Sequence, residues 1–163
     1  MMALDNRRDF CQRVILDHYK KPVHKGQTNP VHRCHRGQTP YCGDIIELTV
    51  KLNQTKNTIE DIKFEGQGCA IAIASADLMA GALRGKSTDE ALEMVQRFQN
   101  MMKGQGGFPE ESKQLSKLNV MQAVTHPLRI KCANLSWYTL KAALTSSETL
   151  ITSKLVGDKK EDA

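Results

Sequence analysis

Two neighbouring segments of the chain alternate between apolar and polar residues with a period of two. The apolar positions are Ile46, Leu48, Val50 and Leu52 in the first segment and Ile62 and Phe64 in the second. Because successive side chains of a strand point to opposite faces of a sheet, each segment predicts a strand with one buried face. Residues 53–57 between them are polar and predict a turn. The pattern therefore indicates an antiparallel hairpin.

Helical spacing replaces this alternation in most of the remaining chain. The predicted helices are residues 5–20, 75–83, a segment opened by a capping box from Ser87 to Glu90, 112–124, and a last one from about residue 128. Residues 69–74 are apolar throughout and fit either a third strand or the start of a helix. Residues 22–40 are polar and predict a loop. We expect an α+β fold, a small antiparallel sheet of about three strands with helices packed on one face.

The length of 163 residues suits one domain, predicted for residues 1–150, followed by a charged and flexible tail at 151–163. No apolar run approaches the roughly 18 residues of a membrane span, so we expect no membrane contact. Five cysteines without a secretory signal favour a reducing compartment, and we expect a cytoplasmic protein. The net charge of +5 is spread along the chain without aromatic interleaving, which favours an acidic protein partner over nucleic acid.

Three cysteines lie at predicted turns or helix starts, which is where side chains from distant segments can converge. Cys42 precedes Gly43 and Asp44, Cys69 follows a Gly-Gln-Gly turn, and Cys132 lies in the first turns of the last helix. Three sulfurs and a carboxylate form a complete tetrahedral set for zinc. A single cysteine would more simply be a small core residue, but three such positions together favour a metal site. Arg129, one turn before Cys132, would favour thiolate over thiol.

Cys34 is the main competing candidate, because His32 and His35 flank it. This segment could be a second metal site, a reactive thiol that acts as an alternative to Cys42, or a redox-sensitive thiol, although an exposed loop that happens to contain a thiol is the simpler interpretation. Cys11 lies in the first helix and is expected to pack in the core. His18, His24 and His126 are expected to be capping or solvated residues.

The segments around the three cysteines resemble the motif blocks of the U-type iron–sulfur assembly proteins, the SufU/IscU-like family. The resemblance runs from about residue 10 to residue 144. The matching blocks are Tyr41-Cys42-Gly43-Asp44, the eleven residues from Gly66 to Ala76, and the nine residues from Arg129 to Trp137. The long interval between Cys69 and Cys132, and Lys131 where IscU-type proteins carry histidine, place the chain nearer the SufU branch. The family usually has Asn-Pro just before the first cysteine, whereas Thr39-Pro40 stands here, and residues 31–38 look like an insertion beside the site.

The resemblance implies a SufE/IscU-like fold and a zinc-dependent sulfurtransferase. In such proteins the residues that match Cys42, Asp44, Cys69 and Cys132 bind zinc, and the one that matches Cys42 accepts persulfide sulfur. The sulfur comes from a PLP-dependent, SufS-type cysteine desulfurase and passes to downstream iron–sulfur scaffold proteins. Arg129 would orient groups and balance charge at the site. Two alternatives stay open: a scaffold that holds a transient iron–sulfur cluster on the same residues, and a non-catalytic interaction domain stabilised by zinc.

Overall fold

A computed structural model describes residues 2–39 and 43–145, with side chains from residue 7 onward. The predicted tail at 151–163, like Cys42, lies outside the described residues. The elements are α1 (Met2–Lys20), β1 (Arg33–Gln38), β2 (Ile45–Leu52), β3 (Ile59–Gln67), α2 (Ala70–Leu83), α3 (Thr88–Met102), α4 (Lys113–Ser116), a 3₁₀ helix (Lys117–Ala123) and α5 (Pro127–Thr145). The predicted α+β class is confirmed.

The three strands form one antiparallel sheet in the order β1-β2-β3. The hairpin prediction is confirmed, because β2 pairs with β3 and places Leu48 opposite Phe64. The loop prediction for residues 22–40 is wrong where β1 lies. This strand, Arg33-Cys34-His35-Arg36-Gly37-Gln38, pairs with β2 over its whole length. Its residues carry no alternating pattern, so β1 exists because of its partners and not because of its own propensity. The segment that looked like an insertion therefore contributes a strand to the sheet.

The apolar face of the hairpin forms one side of the hydrophobic core. Ile46, Leu48 and Val50 have no exposed surface, and α2 and α5 pack against the sheet and each other. Trp137 of α5 stacks on Phe98 of α3, with ring centroids 4.2 Å apart and planes inclined by 9°. Its indole nitrogen donates to the hydroxyl of Ser75 at 3.1 Å. Helices thus cover the buried face of the sheet, as predicted.

The structure decides one open point and refines another among the helical segments. Of the two possibilities for residues 69–74, the start of a helix is the one found, because this stretch begins α2. The predicted helix at 112–124 is one α-helical turn followed by a 3₁₀ helix. Leu115, Leu118, Met121 and Val124 are buried at a spacing of three, and Val120 is buried as well. The spacing of three matches the three residues per turn of a 3₁₀ helix. The capping box at the start of α3 is confirmed, since Ser87 and Glu90 bond each other's backbone amides.

A buried aspartate ties α1 and the segment after it to α2. Asp77 is 1% exposed; Nδ1 of His18 lies 2.6 Å from its Oδ2, and the backbone amide of His24 donates to its Oδ1 at 2.7 Å. The expectation that these two histidines are capping or solvated residues is wrong, because the His18 ring bonds a buried carboxylate and His24 is only 8% exposed. Cys11 is buried in the core, as predicted. No helix in residues 2–39 or 43–145 has the length and apolar character needed to cross a membrane.

Candidate metal centre

Asp44, Cys69 and Cys132 converge at one end of the sheet. One ligand-type atom from each lies within 4.8 Å of the others. Asp44 immediately precedes β2, Cys69 is the N-cap residue of α2, and Cys132 lies in the second turn of α5. Asp44 and Cys132 have no exposed surface, whereas Cys69 is half-buried. The cluster is therefore reached from the side of Cys69.

The carboxylate of Asp44 is held in place by the turn that carries Cys69. The backbone amide of Cys69 donates to Oδ1 of Asp44 at 2.9 Å, and the sulfur of Cys69 lies 3.9 Å from Oδ2. A Cβ atom at Gly68 would lie 2.6 Å from Oδ1, so only glycine leaves room for the carboxylate there. The Gly-Gln-Gly turn thus leaves space for the carboxylate of Asp44 beside Cys69. The sequence analysis did not identify this role.

Thr39 fixes the backbone on the other side of Asp44. Its amide donates to the carbonyl oxygen of Asp44 at 3.0 Å, and its hydroxyl accepts a hydrogen bond of 3.2 Å from the amide of Asp44. The amide of Gly43 donates to the carbonyl oxygen of Thr39 at 3.2 Å. These bonds hold Thr39 beside Gly43 and Asp44. Thr39 is buried, and the sequence analysis did not identify it as a site residue.

Arg129 supplies the positive charge of the cluster. The charges of Cys69 and Cys132, and hydrogen bonds to both, raise the pKa of its guanidinium above the usual value. The side chain itself is exposed. The N-terminus of α2, where Cys69 lies, also favours negative charge through the helix dipole. A guanidinium and a helix N-terminus therefore lie beside the two cysteine sulfurs and the carboxylate.

Two cysteine sulfurs and a buried carboxylate fit a zinc site, because all three are ordinary zinc ligands. A fourth ligand would have to come from elsewhere, and Cys42 is two residues from Asp44 in the chain. Cys42 lies outside the described residues, so the structure brings together three of the four predicted ligands. Within residues 2–39 and 43–145, no other group of three or more such side chains comes close enough to hold an ion.

The segment around Cys34 does not form a second cluster of this kind. Cys34 and His35 are adjacent in β1, so their side chains point to opposite faces of the sheet. Nδ1 of His32 accepts a hydrogen bond of 2.8 Å from the amide of Leu52. Burial lowers the pKa of His35 below its ordinary value of 6.5. Cys34 and His35 are thus placed on opposite faces by the strand that the sequence did not predict.

A family model, curated relatives and solved structures all match the chain to the same family. Residues 11–133 match the model of the NifU-like N-terminal domain. The chain is 41% identical to the zinc-dependent sulfurtransferase SufU of Bacillus subtilis, covering 88% of this chain and 95% of that protein. It is 40% identical to the iron–sulfur cluster assembly scaffold protein IscU of Streptococcus pyogenes, covering 90% and 89% of the two chains.

Solved structures extend the comparison to the fold. A SUF-system iron–sulfur cluster assembly scaffold protein, the SufU of Fervidobacterium islandicum, superposes with a TM-score of 0.72 at 36% identity, covering 81% of this chain and 94% of that one. A NifU-like N-terminal domain from Brucella abortus shares the fold with a TM-score of 0.70 at 18% identity, covering 90% and 93%. The matched residues include Cys69 and Cys132, and the chain belongs to the family of NifU-like N-terminal domains, with the SufU and IscU proteins of iron–sulfur cluster assembly.

Proposed function

We propose that this protein is a zinc-dependent sulfurtransferase, which accepts persulfide sulfur from a PLP-dependent cysteine desulfurase and passes it to iron–sulfur cluster assembly. The observation that carries the proposal is the convergence of Asp44, Cys69 and Cys132, whose ligand atoms lie within 4.8 Å of one another. One of the three, Asp44, is two residues from Cys42 in the sequence. Cys42 would complete the ligand set and act as the sulfur acceptor. Bound zinc would keep the cysteine ligands deprotonated while it moderates their nucleophilicity.

The transfer is a thiolate–persulfide exchange, in which one sulfur–sulfur bond forms as another breaks. The thiolate of Cys42 attacks the outer sulfur of the donor's cysteine persulfide, a new S–S bond forms on Cys42, and the old S–S bond breaks. The electron pair of the broken bond leaves with the donor's cysteine, which becomes a thiolate. The outer sulfur keeps its proton, and no external oxidant or reductant is consumed.

The chain's own residues would prepare this exchange. Thr39 bonds the backbone of Gly43 and Asp44, and the Gly68–Cys69 turn orients the carboxylate of Asp44. Arg129 lies beside the sulfurs on the accessible side, where its positive charge would favour the thiolate form of the cysteine ligands. Cys132 is fully buried, which suits a ligand that stays in place better than an acceptor that meets a partner.

A scaffold function is the second candidate, because the same residues could hold a transient iron–sulfur cluster, as the name of the S. pyogenes relative suggests. Cysteine thiolates are the usual ligands of such clusters. Lys131, at the position before Cys132, favours the sulfurtransferase, since the resemblance associates histidine there with the scaffold branch. Lys131 is exposed.

The deciding experiment measures desulfurase turnover of cysteine with and without the zinc-loaded protein, followed by intact-mass detection of added sulfur. We expect stimulation and sulfur on Cys42 in the wild type, both lost in Cys42→Ala. Cys34→Ala is the matched control, because it removes another cysteine from the same part of the chain and should leave both signals intact. No stimulation, together with uptake of a coloured cluster by the metal-free protein, would favour the scaffold.

Asp44→Ala tests whether the carboxylate contributes to zinc binding and to turnover. We expect it to retain part of the zinc, held by the sulfurs, and to change turnover. Unchanged zinc affinity and unchanged turnover would contradict a ligand role for Asp44. If Cys42→Ala instead unfolded the domain without a separate loss of transfer, the protein would be a zinc-stabilised interaction module.

A further inference from the structure

The two outer edges of the sheet differ in how they are covered. At the β3 edge, the amide of Gly26 donates to the carbonyl oxygen of Phe64 at 2.8 Å, and the amide of Phe64 donates to the carbonyl oxygen of His24 at 3.0 Å. At the other edge, β1 pairs with β2 on one side, and no strand within residues 2–39 and 43–145 pairs with its outer side. The outer backbone groups of such an edge strand are a template for pairing with another chain.

A groove lies between β1 and α5. It has a volume of about 420 Å³, and because none of its lining comes from β2, it opens on the outer side of β1. Its residues from α5 recur every three or four positions, so they form one face of that helix. We call it the β1–α5 groove, and its lining includes His35, Gly37, Thr39, Lys131, Asn134 and Tyr138.

Two buried polar atoms of the groove residues have no hydrogen-bond partner in the described part of the chain. They are Nδ1 of His35 on β1 and Oδ1 of Asn134 on α5. Because burial lowers the pKa of His35 below 6.5, its ring is neutral at neutral pH and has one nitrogen that accepts and one that donates. Buried polar atoms are nearly always paired in native proteins. An occupant that offers N–H groups would supply the missing bonds.

The side chains of the groove favour an anionic occupant with an apolar portion. Lys131 brings a positive charge, and no aspartate or glutamate is among the lining residues. The net charge of +5 on the whole chain favours the same kind of occupant. Tyr138 is 57% exposed, and its ring offers a large apolar contact on the accessible side.

The β1–α5 groove ends beside the candidate metal centre. Thr39 lines the groove and bonds the backbone of Asp44, and Lys131 lines the groove and directly precedes Cys132. Arg129 is two residues from Lys131 and therefore lies on another side of α5. A molecule in this groove thus reaches the metal centre without occupying the side on which Arg129 lies.

We propose that the β1–α5 groove binds an extended, carboxylate-bearing peptide segment of another protein, which adds a strand to the outer edge of β1. The backbone of the peptide would pair with β1, as in other cases of strand addition. Its N–H groups would bond the buried atoms of His35 and Asn134, and its carboxylate would face Lys131. The inference does not depend on sulfur transfer. A second copy of this chain is disfavoured by its positive charge, and the test distinguishes it.

The test uses a displayed library of random short peptides, selected on the full-length, zinc-loaded protein. An enriched peptide would carry a fluorophore, and its binding to the wild type and to two variants would be measured by anisotropy. Tyr138→Glu places a negative charge in the groove. Tyr19→Glu is the matched control, because Tyr19 is also an exposed tyrosine, at 42% exposure, but it does not line the groove. Hydrogen exchange of backbone amides would locate the bound peptide.

We expect the enriched peptides to carry carboxylates at alternate positions and to slow amide exchange in β1. Tyr138→Glu should weaken their binding by about tenfold or more, as loss of an aromatic anchor does. Tyr19→Glu should bind like the wild type, and circular dichroism should show both variants folded.

The inference would be overturned if no peptide were enriched, if Tyr138→Glu bound as tightly as the wild type, or if the peptide protected amides away from β1. Enrichment of basic peptides would refute the assignment of a carboxylate-bearing partner. A wild-type dimer that Tyr138→Glu converts to a monomer, measured by sedimentation velocity, would assign the groove to a second copy.

Discussion

The backbone amide of Cys69 donates a hydrogen bond of 2.9 Å to Oδ1 of Asp44, so one candidate ligand orients another. The bond joins the N-terminus of α2 to the residue before β2. It uses an amide that a helix start leaves without an intrahelical partner. The other carboxylate oxygen, Oδ2, faces the sulfur of Cys69. The site is thus oriented by backbone as much as by side chains.

Gly68→Ala should weaken zinc binding by about 10–100-fold, the range typical of lost support for a metal ligand. The added methyl group would lie 2.6 Å from Oδ1 of Asp44 and would displace the carboxylate. Competition with a chromophoric chelator measures the affinity. Gly81→Ala is the control, since its nearest neighbour is Nε2 of His24 at 3.2 Å, and it should bind zinc normally. Wild-type affinity in Gly68→Ala would argue that the carboxylate is not a ligand.

Arg129→Gln should lower zinc affinity by about two- to fivefold, because exposed charge pairs contribute little. The loss should shrink as salt is added, since ions screen an exposed guanidinium. Zinc titrations at low and high ionic strength measure both effects. Lys141→Gln removes an exposed charge from the same helix further from the sulfurs and should have no effect. A salt-independent loss in Arg129→Gln would point to a structural role instead.

Asp77 should make stability depend on acid pH. Burial tends to raise the pKa of its carboxyl, but hydrogen bonds from His18 and from the amides of His24 and Val23 hold it below the ordinary 3.8. A depressed pKa contributes stability above the unfolded value, and this contribution is lost as pH falls through the folded value. Asp77→Asn should therefore cost about 1–3 kcal/mol at neutral pH, and the difference from wild type should shrink below pH 3.8.

Urea unfolding at neutral and acid pH measures this difference. Asp17→Asn is the control, because Asp17 is an exposed carboxylate of α1 beside His18, and its stability should follow the wild type. If Asp77→Asn differs from wild type by the same amount at both pH values, the charge of Asp77 does not contribute to the pH dependence.

Gly37→Ala should destabilise the protein by about 1–3 kcal/mol, as overpacking does. A methyl group at Gly37 would collide with the hydroxyl of Thr139 on α5, at the point where β1 packs on that helix. Because Gly37 is two residues from Thr39, zinc affinity should also fall. Thermal unfolding and zinc competition measure the two effects, and Gln38→Ala, at an exposed neighbouring position, should change neither. Normal stability in Gly37→Ala would mean that β1 can shift without cost.

The hairpin and α3 were predictable because their signals are local. The alternation of β2 and β3 and the capping box at Ser87 each lie within one segment. Strand β1 was missed because its own sequence carries no strand pattern. The interactions that define it are the pairing with β2 and the close approach of Gly37 to α5. A helix was predicted at 112–124 without its type, and the structure shows that most of it is a 3₁₀ helix, whose buried Leu118 and Met121 are three residues apart.

The candidate ligands were predictable from residue type, whereas their supports were not. Cys69, Cys132 and Asp44 stand out as metal-binding side chains, and the structure brings them together. Thr39 acts through its hydroxyl and backbone on Asp44, and Gly68 acts through the space it leaves. Neither function has a sequence signature, because each depends on a neighbour that is distant along the chain or visible only after folding.

The candidate ligands are drawn from positions as far apart as residues 44 and 132. An ion held among them would work as a cross-link with several ends, and its loss would return to the chain the loop entropy that the cross-link had removed. Metal-free molecules would then unfold more readily than metal-bound ones and would be cleaved faster by proteases. Zinc supply would thereby set how long each copy survives as well as whether it can react.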